Sequence, residues 1–242
     1  MKIHFISDLH LCEEEPATLR AFTDYLTGPA RTADTLYILG DLFEHWAGDD
    51  DDTPLIREVA LALTALAESG TELRFMAGNR DFLIGQGFAS RCALRLLPDP
   101  SRLVVDGRQV LLTHGDLLCT DDTAYLQYRS QVRDPDWQTA FLARPLEERK
   151  TFIESLRARS RAENARKRPD IMDVNHDAVA ELLRINDYPV LIHGHTHRPA
   201  RHEHLVDGRS CERWVLADWH GQAHYLEWTA GTATARSCAP PA

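Results

Sequence analysis

Residues Tyr37 to Trp46, YILGDLFEHW, read as the end of a short buried strand that stops at a glycine and at once presents an acid. The apolar run that leads into it begins at Thr35, and similar runs recur at Ile3 to Ile6, Leu73 to Met76, Val110 to Thr113 and Val190 to Ile192. Helix-like segments, Ala17 to Leu26 and Leu55 to Glu68, lie between several of them, so the first part of the chain reads as βαβ units. The class is α/β. VVDGRQV (Val104 to Val110) and LVDGRSCERWVL (Leu205 to Leu216) each set Asp-Gly between apolar runs, a hairpin signal that adds antiparallel strands to the parallel ones. A purely parallel dinucleotide-binding sheet is not expected, and no Gly-x-Gly-x-x-Gly occurs.

With 242 residues, 43% of them hydrophobic, the chain suits one large domain or a domain with a substantial insertion. No run approaches the ~18 to 20 apolar residues that cross a bilayer, and Met-Lys-Ile-His-Phe enters an apolar run without a signal-peptide pattern, so a cytoplasmic protein is expected. Cys12, Cys92, Cys119, Cys211 and Cys238 are scattered and lack any Cys-x-x-Cys pair, which predicts reduced thiols rather than a disulfide framework. A formal net charge of −10 argues against nucleic-acid binding. Twelve histidines raise the question of a metal.

From Asp121 to about Arg168 glycine disappears, and Trp137, Phe141, Leu142, Phe152, Ile153 and Leu156 sit at mixed helical spacings among charges. This segment reads as a helical insertion in a single domain spanning 1–242. Its end, Arg157 to Arg168, is basic in an acidic chain, and Pro169 is expected to stop the helix. Asp49 to Asp52 reads as a solvated loop, and the small, polar tail from Thr229 onward is expected to fray.

Five short pieces place candidate ligands just past the apolar runs: ISDLH with Asp8 and His10, LGDLFE with Asp41, AGNRD with Asn79, LLTHGD with His114, and IHGHTH with His195 and His197. Residues beyond the C-terminal ends of parallel strands meet at one edge of the sheet, where ligands bind. An acid after a strand is most often a turn or cap residue when it stands alone. Five such pieces in this order are a different matter. His202 and His204 lack the preceding glycine and read as surface residues of a strand; His4, His45, His176, His220 and His224 read as structural or surface groups.

The set resembles the calcineurin-like metallophosphoesterases, whose pattern is Asp-x-His, Gly-Asp, Gly-Asn, His and Gly-His-x-His, here over residues 8 to 197. The resemblance implies a sandwich of two mixed sheets flanked by helices. It also implies two metal ions, one held by Asp8, His10, Asp41 and His197, the other by Asp41, Asn79, His114 and His195, with Asp41 bridging. Imidazole and oxygen ligands suit Mn²⁺, Fe²⁺ or Zn²⁺. Two such ions ~3.5 to 4 Å apart activate water and clamp phosphoryl oxygens for in-line attack.

Many members continue Gly-Asn with His, which protonates a leaving alkoxide; here Arg80 stands in its place. Arginine is no acid at pH 7, yet its fork binds phosphate and stabilises spreading negative charge. That predicts a leaving group already stable as an anion, hence a P–O–P bond. GDLFEHW, GNRDF and the Arg-rich insertion narrow the resemblance to the pyrophosphohydrolases that act on UDP-2,3-diacylglucosamine in lipid A biosynthesis. The implied cofactor is two Mn²⁺. Asp41, Asn79, Arg80 and His195 are the implied catalytic residues, and Asn79, Arg80, Asp122, Ser160, Asn164, Lys167 and His195 the implied substrate contacts. Ser160, Asn164 and Lys167 fall at i, i+4 and i+7, one face of a helix. Apolar insertion residues would cradle acyl chains while the arginines meet anionic headgroups, a peripheral contact with the cytoplasmic face of the inner membrane. No protein partner is implied. The alternatives are a soluble nucleotide or dinucleoside polyphosphate hydrolase and, on the same fold, a non-catalytic scaffold.

Overall fold

In the computed structural model, which describes residues 1–164 and 173–238 and the side chains of all of these except 159–164, the apolar runs pair as two mixed sheets. In the first, β1 (Lys2–Ile6), β2 (Thr35–Leu39), β3 (Glu72–Met76) and β4 (Leu94–Leu97) run parallel, and β10 (Ala223–Thr229) and β11 (Thr232–Cys238) extend it antiparallel beside β1. In the second, β6 (Arg108–Leu112), β7 (Val190–His193) and β9 (Arg209–Val215) are parallel, edged by β5 (Ser101–Val105) and β8 (Ala200–Val206).

Helices cover both outer faces. α2 (Pro54–Glu68) starts where Thr53 Oγ1 accepts the Ile56 N–H and Pro54 occupies the first turn; Ile56, Val59, Ala60, Leu63 and Leu66 make its buried stripe. With α1 (Pro16–Thr27) and α3 (Gln86–Arg91) it closes the first sheet over a core that includes Phe22, Ile38, Phe75 and Trp219. Ile3, Phe5, Met76, Val110, Ile192 and Trp228 fill the space between the sheets, and α7 (His176–Ile185) buries Val179 and Leu183 on the second. The expected sandwich of two mixed sheets flanked by helices is therefore present. None of the five cysteines forms a disulfide.

Both Asp-Gly hairpins form, with Asp106-Gly107 at φ 48° and 76° and Asp207-Gly208 at φ 51° and 78°, the left-handed pair that a tight turn of matching twist requires. A third hairpin corrects the expectation of a fraying tail: Ala230-Gly231 turns at φ 50° and 77°, and β11 pairs with β10 from Thr229↔Thr232 to Ala223↔Cys238. An edge strand is held by its main-chain ladder, so its small side chains need not carry a burial pattern.

The insertion folds as α4 (Thr123–Val132), α5 (Pro135–Leu142) and α6 (Leu146–Asn164). Asp122 and Asp134 cap the first two, and Trp137 stacks on Phe141 at 4.8 Å between ring centres.

Asp49 to Asp52 is only half the solvated loop that its charge suggested: Asp50 and Asp52 stay exposed, but all four acids have partners. Asp49 accepts the Gly85 and Phe88 N–H groups at 3.0 and 3.1 Å at the start of α3. Asp50 pairs with Arg149, Asp51 with Lys150 at 2.8 Å, and Asp52 with Arg57 and Arg91. The run is a clasp between the sheet layer and α6, formed because basic partners far away in sequence converge on it. Arg149, 2% exposed, also donates to the Ala47 and Arg144 carbonyls. Arg149→Ala strands those carbonyls, so a loss of about 2 kcal/mol is expected in a urea titration. Lys150→Ala, which removes the partner of the buried Asp51 from a half-buried position, should cost about 1 kcal/mol.

Candidate active site

Asp8 and His10 follow β1, Asp41 follows β2, Asn79 and Arg80 follow β3, His114 follows β6, and His195 and His197 follow β7. All lie past C-terminal strand ends, at one edge of the sandwich. Asp8, His10, Asp41, His195 and His197 have φ of 56°, 50°, 54°, 68° and 53°, a left-handed backbone that costs a non-glycine residue ~1 to 2 kcal/mol. The surrounding loops enforce it. Asp8 N–H donates to the Gly40 carbonyl at 3.1 Å, Leu9 and His10 N–H both donate to the Asp41 carbonyl at 2.9 Å, and Gly194 N–H donates to the His114 carbonyl at 2.9 Å. The loops pack too tightly for side chains: a Cβ on Gly40 would lie 2.5 Å from Gly78 Cα, and one on Gly194 would lie 2.2 Å from Asp8 Oδ2.

The ligand atoms face one another. His10 Nε2 lies 3.2 Å from His197 Nε2 and 3.8 Å from Asp41 Oδ2, and His197 Nε2 lies 3.5 Å from Asp8 Oδ1. On the other side, His114 Nε2 and His195 Nδ1 approach Asn79 Oδ1 at 2.9 and 2.8 Å, and His114 Nε2 lies 3.8 Å from the same Asp41 oxygen. Asp41 Oδ2 thus stands between the two groups, as a bridge must. Asp8, His10 and His197 are close enough to hold one ion; so are Asp8, Asp41 and His114.

His114 Nδ1 donates to the Leu39 carbonyl at 2.8 Å, so its Nε2 lone pair points at another acceptor, Asn79 Oδ1. Such convergence demands positive charge, from a proton or a metal. Burial opposes a charged His114, but Asp41, Asp116 and Asp8 outweigh it and raise the ring to about 9. Burial likewise opposes ionisation of Asp8, yet the His197 contact and the His114 and His10 rings hold it well below the usual carboxylate range. His195, partly buried and beside His114, falls to about 4 because burial and the His114 charge both disfavour its protonation. These donor types, with no thiolate, fit divalent ions of intermediate hardness.

The sequence reading missed the groups behind the ligands. Glu44 Oε2 lies 3.0 Å from His10 Nδ1, close enough for an ion pair although not aligned as a hydrogen bond. Asp218 Oδ2 lies 3.2 Å from His197 Nδ1. Asp81 accepts N–H groups from Leu42 at 2.7 Å and Gly78 at 2.8 Å, joining two ligand loops; burial, then the Asp41 charge, raises it to about 6. Glu44 and Asp81 sit inside the quoted motifs GDLFEHW and GNRDF, so an acid two or three residues from a candidate ligand was the available signal. Asp218 carried none.

Asp41, Asn79, Arg80, His195 and His197 open into a cavity of about 550 Å³ whose far wall is Phe82, Trp137, Phe141, Phe152, Ile153 and Leu156. Arg80 donates its N–H to Asp41 Oδ1 at 2.8 Å, while its buried Nε has no hydrogen-bond partner. Asp122 lines the cavity and caps α4. Lys167 and the side chains of Ser160 and Asn164 lie outside the described residues. His204 accepts from Arg213 at 2.9 Å and His4 contacts Tyr25 at 3.0 Å, so both are structural. Among the described residues no helix is long and apolar enough to cross a membrane.

The family model described as calcineurin-like phosphoesterase matches residues 1–199. A UDP-2,3-diacylglucosamine hydrolase of Aromatoleum aromaticum is 63% identical over 228 residues, covering 94% of this chain and 93% of that protein. One from an Enterobacter species is 50% identical, covering 93% and 94%. A protein of the same description from Escherichia coli is 49% identical with the same coverage.

Proposed function

The chain belongs to the UDP-2,3-diacylglucosamine hydrolases of the calcineurin-like phosphoesterase family, and from that premise we propose how it performs their reaction. Water attacks the α-phosphorus of UDP-2,3-diacylglucosamine, releasing UMP and 2,3-diacylglucosamine 1-phosphate for lipid A biosynthesis. The observation that carries this reading is that one cavity is lined both by the candidate metal ligands and by aromatic and aliphatic side chains of the insertion.

Asp8, His10, Asp41 and His197 would hold one Mn²⁺, and Asp41, Asn79, His114 and His195 the second. When bound, the ions supply Lewis-acid stabilisation of the phosphoryl oxygens and lower the pKa of the attacking water. The Arg80 guanidinium pairs with the phosphate and stabilises charge as the bond breaks. The leaving phosphate monoester has a second pKa near ~6, so it departs as an anion without a general acid. Asn79 and His195 orient the phosphate. Asp122, with Ser160, Asn164 and Lys167, would bind the sugar and phosphate. The acyl chains lie against Trp137, Phe141, Phe152 and Ile153, and the basic end of the insertion meets anionic headgroups on the inner membrane. The whole chain acts as one domain, with the 121–168 insertion as its lid.

Two measurements test this. Hydrolysis of UDP-diacylglucosamine with added Mn²⁺ should far exceed that of UDP-glucosamine without acyl chains. At ~0.8 kcal/mol per buried methylene, four lost methylenes weaken kcat/KM roughly 200-fold. Equal efficiency on both would leave a soluble nucleotide-sugar hydrolase as the better reading. Metal binding should also weaken as pH falls. His114 holds a proton below about 9, and that proton competes with the ion. Affinity should therefore drop by about tenfold per pH unit between pH 8 and 6, measured by calorimetry on the apo protein.

A further inference from the structure

We propose that Glu44 is a positioning residue that couples the seating of α6 to the orientation of His10, so that metal binding and docking of the helical insertion reinforce each other. The inference rests on reading His10 as a metal ligand.

One carboxylate serves both sides. Glu44 Oε2 lies 3.0 Å from His10 Nδ1, and Glu44 Oε1 accepts from Arg157 Nη2 of α6 at 2.9 Å. Glu44 and Arg157 side chains are each 19% exposed, so the pair is shielded and weakly screened. The Glu44 N–H donates to the Leu11 carbonyl at 3.2 Å, which fixes its backbone against the residue after His10. The Glu44 rotamer is then set from one end by Arg157 and sets the His10 ring from the other. A carboxylate behind a ligating imidazole selects its tautomer and aims its free nitrogen. Here that nitrogen is Nε2, directed at His197 and Asp41.

Two of the other rings, His114 and His197, are backed from outside the insertion, whereas His195 stacks on Tyr125 of α4. His114 leans on the Leu39 carbonyl and His197 on Asp218, between β9 and β10. Neither support comes from the insertion. The insertion does reach further ligand loops: Arg133 donates to the Ala77 and Gly78 carbonyls at 3.1 and 2.8 Å, before Asn79, and Arg129 donates to Asp116 at 2.8 Å, after His114. Glu44 is where such an arginine reaches a ligand through one intervening side chain. Because binding free energies are reciprocal, whatever seats Arg157 must tighten the metal, and the metal must tighten α6.

The test uses the full-length protein freed of metal by chelation, with Mn²⁺ as the probe. Glu44→Gln should weaken Mn²⁺ binding at one site by about 10- to 100-fold. Arg157→Ala should weaken it severalfold, with Arg157→Lys restoring part of the loss. In the wild type, Mn²⁺ should slow amide hydrogen exchange in residues 146–157, and in Glu44→Gln that slowing should vanish. Unchanged Mn²⁺ affinity in both Glu44→Gln and Arg157→Ala would overturn the proposal, as would exchange in the wild type that ignores Mn²⁺. His10→Ala separates the two layers. If it loses one ion while Glu44→Gln binds normally, the coupling alone fails; if it keeps both ions, the assignment of His10 as ligand fails with it.

Discussion

Asp41→Asn should lower kcat by about 10³-fold or more at saturating Mn²⁺ while the protein stays folded. The oxygen Asp41 Oδ2 stands 3.8 Å from both His10 Nε2 and His114 Nε2, so one carboxylate charge serves both halves of the ligand set. Asparagine keeps an acceptor for the Arg80 N–H but removes the negative charge that two cations would share. Metal-derived stabilisation of several kcal/mol is at stake, and every ~1.4 kcal/mol is tenfold in rate. The fold should tolerate the change, because the Asp41 charge is one cause of the raised proton affinity of neighbouring Asp81. Turnover of UDP-diacylglucosamine and Mn²⁺ content, with circular dichroism as the folding control, check it. Near-wild-type turnover would sink the bridging role.

Arg80→Ala should cost about 10²- to 10³-fold in kcat, the range for losing one preorganised donor aimed at developing charge. The guanidinium lines the cavity beside Asn79 and His195, and its buried Nε lacks a hydrogen-bond partner, a group left for a ligand to satisfy. Arg80→Lys should recover part of the loss, since it restores the charge without the planar fork. Arg80→His discriminates between mechanisms. Full recovery with a pH optimum near the imidazole pKa would mean acid catalysis at this position, and a flat, depressed profile is expected instead.

Each candidate ligand was legible in the sequence because strand end and candidate ligand are near neighbours in the chain. Local apolar runs predict where a parallel strand ends, and parallel ends gather at one edge whatever the loops between them do. The same locality made the Asp-Gly hairpins and the insertion readable. Its helices form as its composition implied, and its aromatic residues line the cavity.

Other features have no local signature. The left-handed φ at Asp8, His10, Asp41 and His195 is held by carbonyls and carboxylates of neighbouring loops, so a one-dimensional reading sees only ordinary residues. The run Asp49 to Asp52 looks solvated until Arg149 and Lys150 arrive from a hundred positions away. β11 looks unstructured until β10 offers it a main-chain ladder, for which side-chain pattern is irrelevant. Nothing in the sequence joins Glu44 to Arg157 until α6 brings the two together. The sequence by itself determined the chemistry, because ligand type and strand-end position are local; the tertiary structure alone decided what aims those ligands, because hydrogen bonds and ion pairs between distant segments exist only once the chain has closed on itself.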